Sequence, residues 1–101
     1  MMNVNPIKIE GYTFIAITVE LPNTNLLVVA NDIGYIMCGA LDVDLLNDKL
    51  KNRPIVAGRA IGVRSIDDLL EAPLEKVTTH SHKYNWKPGM KGKEALLKIA
   101  M

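Results

Sequence analysis

The sequence predicts a single α+β domain, a mainly antiparallel sheet of about five strands covered by three to four helices. Three observations lead there. Residues 1–40 carry short, β-branched, alternating runs separated by turn-forming residues. At Asp42 the apolar period becomes helical, and a second helical signature begins at Ser65. Between these, residues 55–61 form a nearly unbroken apolar run of strand length.

In chain order, residues 7–9 and 12–21 read as strands joined at Gly11, the second placing Ile15, Ile17 and Val19 on one face and Phe14, Ala16 and Thr18 on the other. Pro22, Asn23 and Thr24 punctuate the next connection, and residues 26–30 are a continuous apolar strand. Asn31-Asp32-Ile33-Gly34 signals a hairpin leading into a fourth strand over 35–38, so the pattern to this point is an antiparallel meander. Val43, Leu46 and Leu50 then recur at helical spacing. Asp42 can cap that helix, Asp44 suits its dipole, and Lys51 and Arg53 close it before Pro54. The run over 55–61 is expected at the centre of the sheet, buried on both faces.

In the next helix Ser65 is the cap, Asp67 and Asp68 occupy the first turn, Ile66, Leu69 and Leu70 form the apolar side, and Pro73 lies just past the end. Residues 74–86 fit two descriptions. They alternate like a strand through Thr78, His80, His82, Tyr84 and Trp86, or they form a short helix with Asn85 as C-terminal cap; the helix is the favoured reading. Pro88-Gly89 is a turn, and residues 93–100 make a last helix with Leu96, Leu97 and Ala100 inward.

Composition narrows the function. A chain of 101 residues, 49% hydrophobic and 23% charged, is sized and composed for one folded domain over 1–101. With aromatics at 5% and a net charge of +1, it has neither the stacking surfaces nor the cationic excess of a nucleic-acid binder. No apolar run reaches the roughly 20 residues that a bilayer span requires. One cysteine, Cys38, excludes an intramolecular disulfide, and with no signal peptide at the start the expected compartment is the cytoplasm.

Three stretches carry a family resemblance: Ala30-Asn31-Asp32 with Gly34-Tyr35-Ile36-Met37-Cys38-Gly39-Ala40-Leu41-Asp42, then Gly58-Arg59-Ala60-Ile61-Gly62-Val63-Arg64-Ser65-Ile66-Asp67-Asp68-Leu69-Leu70, then Gly89-Met90-Lys91-Gly92-Lys93-Glu94-Ala95-Leu96. Together they resemble the YunC-like family of uncharacterised bacterial and archaeal proteins, over almost the whole chain. The resemblance implies a compact α+β domain and no assigned activity. His80-Ser81-His82 matches no pattern of that family.

Cys38 is the first candidate for chemistry. At a strand end just before a helix, its sulfur could face the N–H groups of Gly39 and Ala40, a setting that lowers a thiol's pKa; Asp42 opposes this with its negative charge. Gly39 would let a substrate carbonyl approach. The bland alternative is a small buried hydrophobe. Arg59 falls on the same side of an apolar strand as Ile55, Ala57 and Ile61, so its guanidinium must be paired or reach solvent. Either Arg59 and Arg64, with the helix terminus at Ser65, anchor a small anionic ligand, or Arg59 pairs structurally with Asp32, Asp42 or Glu20. Asn31 and Asp42 could supply nearby polar groups, though turn and cap roles explain both. His80 and His82 would share a side only on a strand, so no metal site and no cofactor are assigned. Lys76, Lys83, Lys87, Lys91, Lys93 and Lys98 stand against Glu94 alone in the C-terminal stretch, the composition of a solvated face.

Two functions fit. The favoured one is a binding or assembly module, homo-oligomeric, whose apolar surfaces and glycine-rich turns serve a partner or small ligand. The alternative is a small enzyme with Cys38 as nucleophile and Arg59 or Arg64 as anion anchor, which requires Cys38, Arg59 and Arg64 to line one cavity. No base is tied to Cys38 by spacing, and so small a domain leaves little room for a closed site.

Overall fold

Two tight turns organise the first third of the chain. Strand β1 (Met2–Ile9) turns through Glu10 and Gly11, both at positive φ (51° and 86°), into β2 (Tyr12–Leu21). That pair of left-handed residues is the two-residue turn whose twist matches the strands it joins. Pro22 and Asn23, the latter at φ 64°, reverse the chain again into β3 (Thr24–Ala30). The next corner is built by Asn31, whose Oδ1 accepts from the N–H groups of Ile33 (2.9 Å) and Gly34 (3.2 Å) before β4 (Gly34–Met37) begins.

The computed structural model describes residues 1–48 and 52–100. Helix α1 (Val43–Asp48) follows β4, with Asp42 Oδ1 accepting from Leu45 N at 2.9 Å as the cap expected of it. The expected contributions of Leu50 and Lys51 to this helix lie outside the described residues, and Arg53 falls beyond its end. Strand β5 (Val56–Arg59) then lies parallel to β4, and helix α2 (Ile66–Glu71) is capped by Ser65 Oγ, which accepts from Asp68 N at 3.1 Å. Strand β6 (Lys76–Val77) pairs antiparallel with β5; a 3-10 helix (Thr79–Tyr84) and helix α3 (Gly92–Lys98) complete the fold.

The six strands form one sheet in sequence order, β1-β2-β3-β4-β5-β6, antiparallel except at β4–β5. The expectation of an α+β domain with a mainly antiparallel sheet holds, with six strands in place of five and, among the described residues, three α-helices plus the 3-10 helix. The strand at residue 55 was expected at the centre of the sheet. Instead β5 lies next to the last strand and is shorter than the apolar run, because the chain leaves the sheet after Arg59 and Ile61 is 60% exposed. Residues 74–86, for which a helix was favoured, divide between a two-residue strand and a 3-10 helix. Asn85 does cap the latter, at φ 64°, its N–H donating to the carbonyls of His82 and Ser81.

Cross-strand register sorts the side chains onto two faces. Phe14, Ala16, Leu27, Val29 and Ile36 point toward α2 and α3, where they pack with Leu69, Leu74, Trp86, Leu96 and Ile99 as one buried core. Two glycines sit at close contacts of that core. A Cβ on Gly58 would lie 2.9 Å from Leu74 Cδ1, and one on Gly92 would run into the Leu69 carbonyl and sit 2.7 Å from Ile36 Cδ1. The opposite face is covered by α1 only over β4 and β5, through a small cluster of Leu41, Val43 and Ala57 with Leu46, Tyr35 and Met37.

Helix α3 is tied down by its own terminal carbonyls. Trp86 Nε1 donates to Ala95 O at 2.8 Å, and Asn31 Nδ2 donates to Ile99 O at 2.7 Å. Buried Thr78 donates to Ile55 O (2.7 Å) and accepts from Ala57 N (3.1 Å), joining β5 to the segment after β6.

Two stability predictions follow from α2–α3 contact. Gly92→Ala must displace backbone, not a flexible side chain, and should lower stability by about 1–3 kcal/mol in urea denaturation. Hydrogen bonds from Lys93 (2.8 Å) and Lys91 (3.4 Å) hold the Glu71 carboxyl below its ordinary value of 4.5. Its folded pKa is therefore lower than its unfolded one, so the stabilisation is present above the ordinary carboxylate range and is lost as pH falls through the lowered value. Glu71→Gln should flatten that part of the acid limb when urea midpoints are compared between about pH 3 and pH 7.

Candidate functional site

Cys38 occupies the first position beyond β4, and the chain's change of direction there determines what its thiol does. Cys38 N still donates to Leu27 O (3.1 Å), as if the ladder continued, but the Cys38 carbonyl has turned away to accept from Leu41 N (3.2 Å). Leu27 N is left without its ladder acceptor, and Cys38 Sγ takes that place at 3.5 Å while reaching Asn25 O at 3.9 Å. The side chain is 7% exposed and belongs to the main core. The sulfur thus faces the backbone of β3, not the N–H groups of Gly39 and Ala40 as the sequence led us to expect.

The other sequence candidates separate. Met37 pairs with Arg59 across β4–β5, which puts Arg59 on the α1 side of the sheet and Cys38 on the opposite side. Arg59 Nε and a terminal guanidinium nitrogen hold Glu75 Oε2 at 2.7 and 2.6 Å, and its other terminal nitrogen donates to Leu41 O at 3.1 Å. The partner is Glu75, not Asp32, Asp42 or Glu20, because β6 runs back along β5 and brings residue 75 beside Arg59. Asn31 is fully engaged in its turn and at the end of α3, and Asp42 caps α1. Cys38, Arg59 and Arg64 therefore do not line one cavity.

Arg64 and Gly39 are exposed, near the ends of the parallel strands. Arg64 lines a shallow depression of about 470 Å³ with Val63 and the turn residues Asn23, Thr24 and Asn25. The Cys38 thiol reaches the carbonyl of Asn25 but is not part of the lining. At the nearby start of α2, Ser65 Oγ accepts from Asp68 N, and Asp68 Oδ2 turns back to accept from Arg64 N at 3.1 Å. The carboxylates of Asp67 and Asp68 already answer the dipole there, which opposes a bound anion.

Two features escaped the sequence reading. His80 separates two small depressions, one lined by Arg53, Asn47 and Thr79 (about 140 Å³), the other by Lys83, Tyr84 and Pro54 (about 250 Å³). On the 3-10 helix His80 and His82 diverge, and among the described residues no group of three or more His, Cys, Asp or Glu side chains is placed to hold a metal ion. The second feature is larger: the face of β1–β3 that α1 does not reach presents Val4 (53% exposed), Ile15 (37%) and half-buried Ile17, Val19, Leu26 and Val28. The alternation of Ile15, Ile17 and Val19 was legible; that no described element would cover it was not. Beside it on β4, burial raises the Tyr35 phenol above its ordinary pKa.

These features define a small α+β domain with one mixed sheet, half of one sheet face bare, and no helix among the described residues long and apolar enough to cross a membrane. The chain belongs to the DUF1805 family, described as a domain of unknown function, which it matches over residues 37–99. It is 65% identical over 99 residues to a Bacillus subtilis (strain 168) protein named "Uncharacterized protein YunC", with 98% of each chain covered. The YunC-like resemblance read from the sequence is thereby established. A crystal structure of TA1206, a protein of unknown function from Thermoplasma acidophilum, superposes with a TM-score of 0.86 at 29% identity, covering 98% of this chain and 93% of that one.

The geometry of Cys38 yields a direct prediction. Its thiol should react with an aromatic disulfide reagent many times more slowly in the native protein than in urea. Cys38→Ala, which leaves Leu27 N–H buried without an acceptor, should cost about 1–3 kcal/mol in urea denaturation.

Proposed function

We propose that this chain is a cytoplasmic binding and assembly module that works as a homo-oligomer. The observation that carries the reading is the bare apolar face of β1–β3. Soluble chains rarely leave a contiguous apolar patch of this extent in water, and such patches mark interaction sites. Strand residues of alternating polarity would have sufficed for a sheet with one wet face; here β2 is apolar on both faces at residues 14–17.

The alternative, an enzyme with Cys38 as nucleophile and Arg59 or Arg64 as anchor, has the geometry against it. The thiol is committed to Leu27 and Asn25, the Arg59 guanidinium to Glu75 and Leu41, and neither histidine of the 3-10 helix is a hydrogen-bond partner of the sulfur. A catalytic thiol needs a base within hydrogen-bond reach and an open approach. A small anionic ligand finds its best remaining cation in Arg64, at the rim of the open depression.

Light scattering on the full chain at about 100 μM tests the reading, that concentration lying well above the micromolar dissociation constants of weak specific pairs. The expected mass is a multiple of the chain's 11.2 kDa. A particle of the single-chain mass at that concentration would remove it.

A further inference from the structure

Resting on that reading, we propose that two copies of this chain pack face to face, sheet on sheet about a two-fold axis, through the bare side of β1–β3, and do not join edge to edge through β1. The surface is built from Val4, Ile15, Ile17, Val19, Leu26 and Val28, which the register places side by side: Val4 opposite Ile17, Ile17 opposite Val28, Val19 opposite Leu26. The patch bears no charge, and Lys8, opposite Thr13, stands at its margin. A charged partner finds nothing there to pair with. A small ligand finds no enclosure, since the nearest depression, at Thr13, Ile15 and Ala30, lies at the end of the patch. A second identical surface of aliphatic side chains satisfies it, as the inner faces of a sandwich satisfy each other at about 10 Å separation.

The extent is sufficient. Three strands spaced about 4.8 Å, over roughly seven residues of about 3.3 Å each, span a patch of about 14 by 23 Å, on the order of 330 Å² in projection. Met2 (64% exposed) and Leu21 (44%) stand on the same face at the Val19 end, and with them the exposed apolar surface reaches roughly the 500 Å² per partner that a specific interface requires. A two-fold, isologous contact closes on itself and leaves no second apolar surface exposed.

The edge of β1 argues against the other way of pairing. Met1 and Glu20 exchange both backbone hydrogen bonds (2.8 and 3.4 Å), so by alternation the odd-numbered residues of β1 bond to β2 and the even-numbered ones point their backbone outward. Pro6 is one of these, and it has no N–H to offer. The outward donor row is broken at its middle, a device that blunts strand addition.

Light scattering on the full chain and three variants tests the proposal. Val4→Lys and Ile15→Lys place charges where the single chain is already open to solvent, so the fold tolerates them. Lys8→Pro deletes a second outward donor without adding charge to the patch. The expected result is a wild-type mass of twice 11.2 kDa, single-chain masses for both Lys variants with unchanged far-UV circular dichroism, and an undisturbed dimer for Lys8→Pro. Should a Lys variant unfold, Ile15→Thr keeps the β-branched shape, and its dimer dissociation constant should rise about tenfold or more. A wild-type oligomer that survives the substitutions at Val4 and Ile15, dissociates with Lys8→Pro, or contains an odd number of chains overturns the face-to-face pairing and leaves self-association standing. A wild-type chain that stays single overturns both.

Discussion

The parallel register of β4 and β5 is the constraint from which the asymmetry of this molecule follows. Two parallel neighbours cannot be joined by a tight turn, so the chain between Met37 and Val56 has to cross over one side of the sheet, and α1 lies there. The chain that returns from β5 places α2, and later α3, on the other side. Only β4 and β5 are thereby covered on both faces. The meander before them, made of two-residue turns and an asparagine corner, has no spare chain with which to cover its second face.

The same crossover explains the behaviour of the cysteine. A chain that must leave the sheet after Met37 rotates the next carbonyl out of the ladder, and the position at which this happens requires a small side chain that can accept one hydrogen bond and tolerate burial. A thiol does both. Cys38 is thus placed by backbone geometry, and its hydrogen bonds to β3 are part of how the strand ends.

Much of the architecture was legible because it depends on local chemistry. Gly11, Asn23 and Asn85 occupy left-handed positions, Asp42 and Ser65 cap helices, and each is recognisable from its neighbours alone. The alternation in β2 was read correctly as two apolar faces. What the sequence could not supply were the pairings between distant segments. Glu75 reaches Arg59 only because the very short β6 folds back on β5, and residues 76–77 carry too little pattern to announce a strand. For the same reason the grouping of Cys38, Arg59 and Arg64 could not be judged from spacing: successive residues along a strand point to opposite sides, and the one step from Met37, the partner of Arg59, to Cys38 separates the thiol from the guanidinium.

The indole of Trp86 is the chain's only one, and it is fully buried with its N–H committed to the carbonyl of Ala95, on the far side of the sheet from Val4 and Ile15. Its emission is therefore an optical record of one half of the molecule. Loss of helical docking would shift it toward the red, while events confined to the aliphatic surface of the meander would pass without colour change, so separation of subunits and melting of the protomer carry different spectral signatures.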